Sequence, residues 1–154
     1  MHEVHPVLVL CSPLRRAVRT AELAGFADVL IDADLSEWDY GEHEGISTAE
    51  IRRTDPGWTI WTGRSPGGET LEQVVQRADR AVTRVAAALP GGDVVVVAHG
   101  HFNRVLAARW VGLPGAAGQL FALDTATVCV LGHEHEQQVF LRWNVPGAAA
   151  GAAL

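Results

Sequence analysis

The sequence predicts a three-layer α/β protein, with helices on both faces of a mainly parallel sheet. Three observations carry that prediction. Short aliphatic runs recur at Val7–Cys11, Asp28–Ala33 and Val94–Ala98, and runs of this length rich in β-branched residues suit strands buried on both faces. Between them lie segments of helical periodicity, the alternation that parallel strands require of their crossovers. The length of 154 residues suits one domain that buries about two-thirds of its unfolded surface.

Each element follows in order. After the Val7–Cys11 run, Ser12 and Pro13 read as an N-cap and a first-turn proline, starting a helix that stops near Gly25. The Asp28–Ala33 run leads into a polar loop, Leu35–Gly45. Ser47 with Glu50, and Thr70 with Gln73, have capping-box spacing. They predict a short helix over 48–54, ended by Asp55-Pro56-Gly57, and a long one running to Pro90 with Val74, Ala78, Ala81, Val82, Val85 and Leu89 on its inner face. Four valines then form the strand that ends at Ala98, and a helix follows over about 102–111. Later runs at 119–123, 127–131 and 138–143 read as short strands, the last two forming a hairpin around Gly132–Glu136. The domain is expected to span 1–146, with a disordered Gly/Ala tail over 147–154.

Composition narrows the function classes. Twelve arginines, no lysine, eighteen acidic residues and a net charge of −6 argue against a nucleic-acid or membrane-surface binder. Val94–Ala98 is far too short to span a bilayer, and the N-terminus does not read as a secretory signal. Two cysteines do not make a disulfide framework, so a cytoplasmic setting is expected. No G-x-G-x-x-G or P-loop pattern occurs, which disfavours a nucleotide cofactor. His133-Glu134-His135-Glu136 reads as a solvated turn rather than a metal site.

In open parallel sheets ligands bind at the carboxyl ends of the strands. Here those ends deliver Ser12 with Arg15, Arg16 and Arg19, then Asp34, Glu37 and Asp39, and finally His99 directly after the valine strand. An arginine, a carboxyl and a histidine at one edge suit a phosphoryl or carboxylate substrate, with a helix N-terminus adding partial positive charge. Trp58, Trp61 and His101 are candidates for the substrate mouth. A Ser12–His99–Asp124 hydrolase triad is the competing arrangement, but no G-x-S-x-G elbow surrounds Ser12.

Four segments together resemble the histidine phosphatase (phosphoglycerate mutase-like) superfamily, nearest its short acid-phosphatase branch. Residues 12–22, SPLRRAVRTAE, resemble its SPL-x-RA-x-x-TAE segment, and residues 35–45, LSEWDYGEHEG, its L-x-E-x-x-x-G-x-x-EG loop. Residues 66–70, PGGET, resemble PGGES, and Ala98-His99-Gly100-His101 with Arg104 resembles HG-x-x-x-R. The resemblance implies a phosphoglycerate mutase-like fold and a small phosphorylated substrate, with neither cofactor nor metal. It also implies that Arg16, with Ser12 and Gly100, binds phosphate, that Glu37 is the general acid, and that His99 donates to the phosphoryl oxygens. The family's nucleophile is a further histidine, in an Arg-His-Gly triplet ending the first strand, which becomes a phosphohistidine. No such triplet occurs in these 154 residues. The expectations are therefore a sheet without its first central strand, either a reading frame that extends upstream of Met1 or a truncated relative, and little turnover by this chain. Phosphoglycerate mutase-like transfer and a non-catalytic phosphoester-binding remnant are the alternatives, and an unfilled sheet edge would favour a homodimer.

Overall fold

The structure is a computed structural model and describes residues 5–147. Its centre is β1 (Leu8–Cys11), where Val9, Leu10 and Cys11 are buried. β1 pairs in parallel with β2 (Leu30–Ile31) on one side and β3 (Val94–Val97) on the other, in the order β2-β1-β3. The register sets Leu10 beside Leu30 and Val96, and Cys11 beside Ile31 and Val97.

Strand periodicity makes this sheet two-faced. Leu8, Leu10 and Val96 enter one cluster with Val74, Ala78, Phe102 and Val105, which belong to α3 (Leu71–Ala88) and α4 (Gly100–Trp110). Cys11 and Val97 enter the other with Phe26, Val29 and the small residues Ala17 and Ala21 of α1 (Arg15–Leu23). Helices therefore cover both faces, as expected. The two capping boxes form as the sequence spacing predicts, Ser47 starting α2 (Thr48–Thr54) and Thr70 starting α3.

Four expectations are corrected. The Asp28–Ala33 run yields only the two-residue β2, with Leu30 56% and Ile31 49% exposed, because it is an edge strand with one neighbour. Its Asp32 instead caps a 3₁₀ turn over Ala33–Leu35. The valines of β3 are half-buried, because among the described residues its second edge has no strand partner. Ser12 does not cap α1: Leu14 holds the N-cap position without a side-chain bond, and α1 starts at Arg15. The 119–123 run is no strand: a 3₁₀ segment over Gly115–Leu120 packs on α4, held by Arg104 donating to the carbonyls of Gly118 and Gln119. The hairpin forms and is longer than predicted, with β4 (Thr127–Glu134) antiparallel to β5 (Gln137–Pro146) in a sheet of its own. His133 within it lies against the ring of Trp110. Residues 148–154 of the expected tail, and the N-terminal His2, lie outside the described residues. No helix among the described residues is long and apolar enough to cross a membrane.

One ion cluster ties α3 to the end of β2. Asp34 accepts from Arg80 at 2.6 Å and from Arg84 at 2.7 Å, and Arg84 also reaches Asp32 at 2.7 Å. Hydrogen bonding from Arg80, with help from Arg84, outweighs burial and holds the Asp34 carboxyl below its ordinary 3.8. A depressed carboxylate adds stability above its unfolded pKa and loses it as pH falls through the folded one. Asp34→Ala is therefore expected to lower stability by about 1–2 kcal/mol at neutral pH, a figure already reduced for the solvent around Arg80. Urea titration should show that difference shrinking below the ordinary pKa of 3.8.

Candidate active site

The β1–β3 ladder continues one bond past the strand ends. The Ser12 N–H donates to the Val97 carbonyl at 2.9 Å, so Ser12 and His99 leave the sheet side by side. Ser12 is fully buried and His99 is 7% exposed. His99 Nε2 lies 2.7 Å from Ser12 Oγ, and Arg16 Nε, from the first turn of α1, lies 3.2 Å from His99 Nδ1.

These contacts assign the tautomer. A guanidinium only donates, so His99 Nδ1 accepts and the imidazole proton sits on Nε2, donating to Ser12 Oγ. Burial, with the nearby Arg16 charge, lowers the His99 pKa against the pull of Glu37, in keeping with a neutral ring. The same assignment removes the Ser12–His99–Asp124 triad. His99 has no free base nitrogen facing Ser12, while Asp124 is exposed and bonded to Asn144. Ser12 Oγ also accepts the Leu14 N–H at 3.2 Å.

Glu37 comes to the same edge from the polar loop. Its Oε1 accepts the N–H groups of Trp38 and Phe102, both at 2.9 Å, and its Oε2 accepts that of His101 at 3.2 Å. The carboxylate thus sits on the N-terminus of α4, where unpaired helix N–H groups and the helix dipole favour an anion. A Cβ built on Gly100 would stand 3.9 Å from Glu37 Oε2. Arg16, Ser12, Glu37, His99 and Gly100 therefore surround one end of the sheet.

The loop that carries Glu37 is held from below. Buried Trp38 donates through Nε1 to the Glu69 carbonyl at 2.9 Å. The Glu69 carboxylate takes two bonds from Arg77, at 2.7 and 2.8 Å, and one from the Asp39 N–H at 3.1 Å. Arg77 also donates to the carbonyls of Asp34 and Ser36 and lies over the Phe102 ring. Two glycines let the loops touch: a Cβ on Gly41 would strike the backbone of Pro66 and Gly68, and one on Gly68 would strike Asp39 and Gly41. Residues 35–45 and 66–70 are therefore one structure. Sequence reasoning missed Arg77, and it quoted Tyr40, Glu69 and Arg104 only within motifs.

Beyond Glu37, Tyr40 Oη lies 2.7 Å from His101 Nδ1. Burial, with the carboxylates of Glu37 and Glu44, pushes the Tyr40 pKa well above its ordinary 10.0. Trp61 stands 5.6 Å from both His101 and Trp38, and the Arg104 guanidinium lies 4.9 Å from the Trp61 ring. Trp58 is buried, with its Nε1 on the Arg64 carbonyl at 3.0 Å and His43 edge-on to its ring. Trp58, Trp61 and His101 line one cavity of about 300 Å³, so the predicted mouth residues come together beside Glu37.

The family model of the histidine phosphatase superfamily (branch 1) matches residues 1–146. The chain belongs to the histidine phosphatase superfamily. It is 44% identical over 133 residues to an acid phosphatase of Mycobacterium tuberculosis, across 86% of this chain and 66% of that protein. It is 26% identical over 149 residues to a probable phosphoglycerate mutase, GpmB, of Salmonella paratyphi B, across 91% of this chain and 69% of that one. The solved structure of the open reading frame Rv3214 of M. tuberculosis superposes with a TM-score of 0.88 at 42% identity, over 91% of this chain and 72% of the other. The chain thus spans about two-thirds of these relatives, and their fold is the phosphoglycerate mutase-like α/β fold expected from the motifs.

Gly41 has a φ of 54° as well as the close contact. Gly41→Ala is expected to cost about 2 kcal/mol or more and to loosen the Glu37 loop, seen as a lower urea midpoint and altered tryptophan emission. The buried imidazoles set a second expectation. Burial lowers both His99 and His101 below the ordinary 6.5. Above that value folded and unfolded chains both hold these rings neutral. As pH falls below it the unfolded chain binds protons first, so stability drops by up to about 1.4 kcal/mol per pH unit for each ring. Unfolding titrations at several pH values between neutrality and pH 5 check this, and His99→Gln should make the profile shallower.

Proposed function

We propose that this site binds the phosphate of a small phosphomonoester and serves hydrolysis of the acid-phosphatase type. The observation that carries the reading is the Arg16–His99 pair beside the helix-held Glu37. Arg16 is otherwise exposed and offers its terminal nitrogens to phosphoryl oxygens. His99 Nε2–H, now given to Ser12, can be given to a phosphoryl oxygen instead, with Ser12 and the Gly100 end of α4 completing the cradle. Glu37 takes the acidic proton of a monoanionic ester as it enters and delivers it to the departing alkoxide. In the two-step route an imidazole nitrogen bonds to phosphorus as the P–O bond to the alcohol breaks. Water then attacks phosphorus, the P–N bond breaks, and Glu37 recovers its proton. Charge is met by arginine and imidazole, with no metal in the scheme.

The nucleophile is the step that these residues do not supply. His5 precedes β1, at the opposite end of the sheet from Ser12, His43 lies edge-on to Trp58 in the cavity wall, and His133 and His135 belong to the β4–β5 hairpin. His99 and His101 are engaged with Ser12, Arg16 and Tyr40. A strand laid parallel to β3 on its free edge would end beside His99, which supports an attacking imidazole presented from there. Hydrolysis is favoured over mutase transfer by the compact connection between Gly45 and Gly67, where a mutase brings a longer lid. A cytoplasmic setting belongs to the same reading, as does pairing of two copies, for which the exposed Leu30 and Ile31 of edge strand β2 offer a surface.

Calorimetric titration with orthovanadate should show saturable binding to the 154-residue chain, weakened at least about tenfold in Arg16→Ala and in His99→Ala. Turnover of p-nitrophenyl phosphate should lie on the order of 10⁶ below that of a form carrying an Arg-His-Gly strand. Unchanged binding in both variants would remove the phosphate assignment. Turnover by the 154-residue chain at an ordinary enzymatic rate would remove the account of the nucleophile.

A further inference from the structure

The arginines of this chain fall into two sets. Arg77, Arg80, Arg84 and Arg109 are each bonded to a carboxylate from another part of the fold, and Arg19 is bonded to Glu22. Others, among them Arg15, Arg16, Arg52, Arg53 and Arg142, make no ion pair among the described residues. Within that second set only Arg52 borders the cavity of about 300 Å³ beside Glu37.

The wall of this cavity mixes apolar side chains such as Ile46, Ile51 and Ile60 with the polar Tyr40, Thr48 and Thr59. Polarity alone therefore selects no ligand. Charge does, because the wall contains Arg52 and no carboxylate. Arg52 Nε donates to the Trp58 carbonyl at 2.8 Å, which fixes the guanidinium at the wall. Its two terminal nitrogens have no partner among the described residues. A guanidinium carries five N–H donors in a fork that matches a carboxylate or a phosphate. Compensation of the α2 dipole does not account for this placement. Arg53 stands in the same last turn and is exposed outside the cavity.

The cavity reaches the chemistry through His101. That residue lines it, while its backbone N–H donates to Glu37 Oε2. The group that leaves beside Glu37 therefore lies at one end of a space whose wall also holds Arg52. The volume is roughly twice the ~150 Å³ that takes a benzene ring, room for a short substituted chain. Resting on the phosphomonoester reading above, we infer that the released alcohol carries a second oxyanion, a carboxylate or a further phosphate, held by the terminal nitrogens of Arg52. Arg52 then determines specificity without touching the reacting phosphorus.

Non-hydrolysable phosphonates test this on the 154-residue chain by tryptophan-fluorescence titration. Butylphosphonate and hexylphosphonate carry uncharged tails. Phosphonobutyrate and phosphonohexanoate replace the terminal methyl by a carboxylate, and propane and pentane bisphosphonates replace it by a second phosphonate. At one of the two lengths an anionic tail should tighten binding about tenfold over its uncharged match, the low end for a charge-assisted bond because Arg52 is exposed. The larger of the two increments identifies the anion. Arg52→Gln should abolish the increment and leave the alkylphosphonates bound as in the parent, and Arg52→Lys should keep part of it. Equal binding of charged and uncharged tails at both lengths overturns the inference and leaves the phosphate site standing. An increment that survives Arg52→Gln, or one that Arg52→Lys loses completely, overturns the role of Arg52. Failure of every phosphonate and of orthovanadate overturns the phosphomonoester reading itself.

Discussion

The parallel pairing of β1 with β3 is the constraint on which the site rests. With Cys11 opposite Val97, the next backbone bond, Ser12 N–H to Val97 carbonyl, brings Ser12 and His99 out of the sheet together. A slip of one residue would turn Leu10, now fully buried, toward the α1 face and swing Ser12 away from the imidazole. Everything placed on His99 inherits this register. That includes the Arg16 bond, the position of the proton on Nε2, and the start of α4, whose N–H groups hold Glu37.

A second constraint acts on the loop that brings Glu37 to that point. The loop has no regular structure beyond short 3₁₀ turns, so its shape is imposed from outside by Arg77 and by Glu69, whose carbonyl takes the indole N–H of the loop's own buried Trp38. Arg77 and Glu69 are largely shielded, with 13% and 23% of their side chains exposed. Removing either partner would leave the other, or the Ser36 carbonyl, without its bond in a poorly solvated place. The close contact of Gly41 with Gly68 completes the arrangement, since two side-chain-free residues let the backbones approach.

Much of this was legible in the sequence, and the part that was not has a common cause. His99 stood out because a polar residue directly after four valines must lie at the rim of a buried strand. Ser47 with Glu50 and Thr70 with Gln73 were legible because capping boxes are local chemistry. Ser12 was misread because its hydroxyl is used across 87 residues, by His99, instead of by its own helix. Arg77 was invisible for the same reason: on a helix it reads as one more solvated arginine beside Arg80 and Arg84, and only the fold shows it gripping a loop 41 residues upstream. The 119–123 run was read as a strand because its pattern cannot reveal that Arg104 would curl it onto α4.

The side of β3 that has no strand partner among the described residues also bears on how this chain behaves in a concentrated solution. Four consecutive valines, half-buried and without a charged residue or proline among them, carry backbone groups that can template another strand. Few segments of the molecule better match the short, β-branched, uncharged pattern of steric-zipper formers. The negative charge of −6 opposes such contacts by mutual repulsion, and salt weakens that repulsion over a Debye length of about 8 Å at physiological ionic strength. The colloidal stability of this chain is thus governed by ionic strength through the same strand that delivers His99.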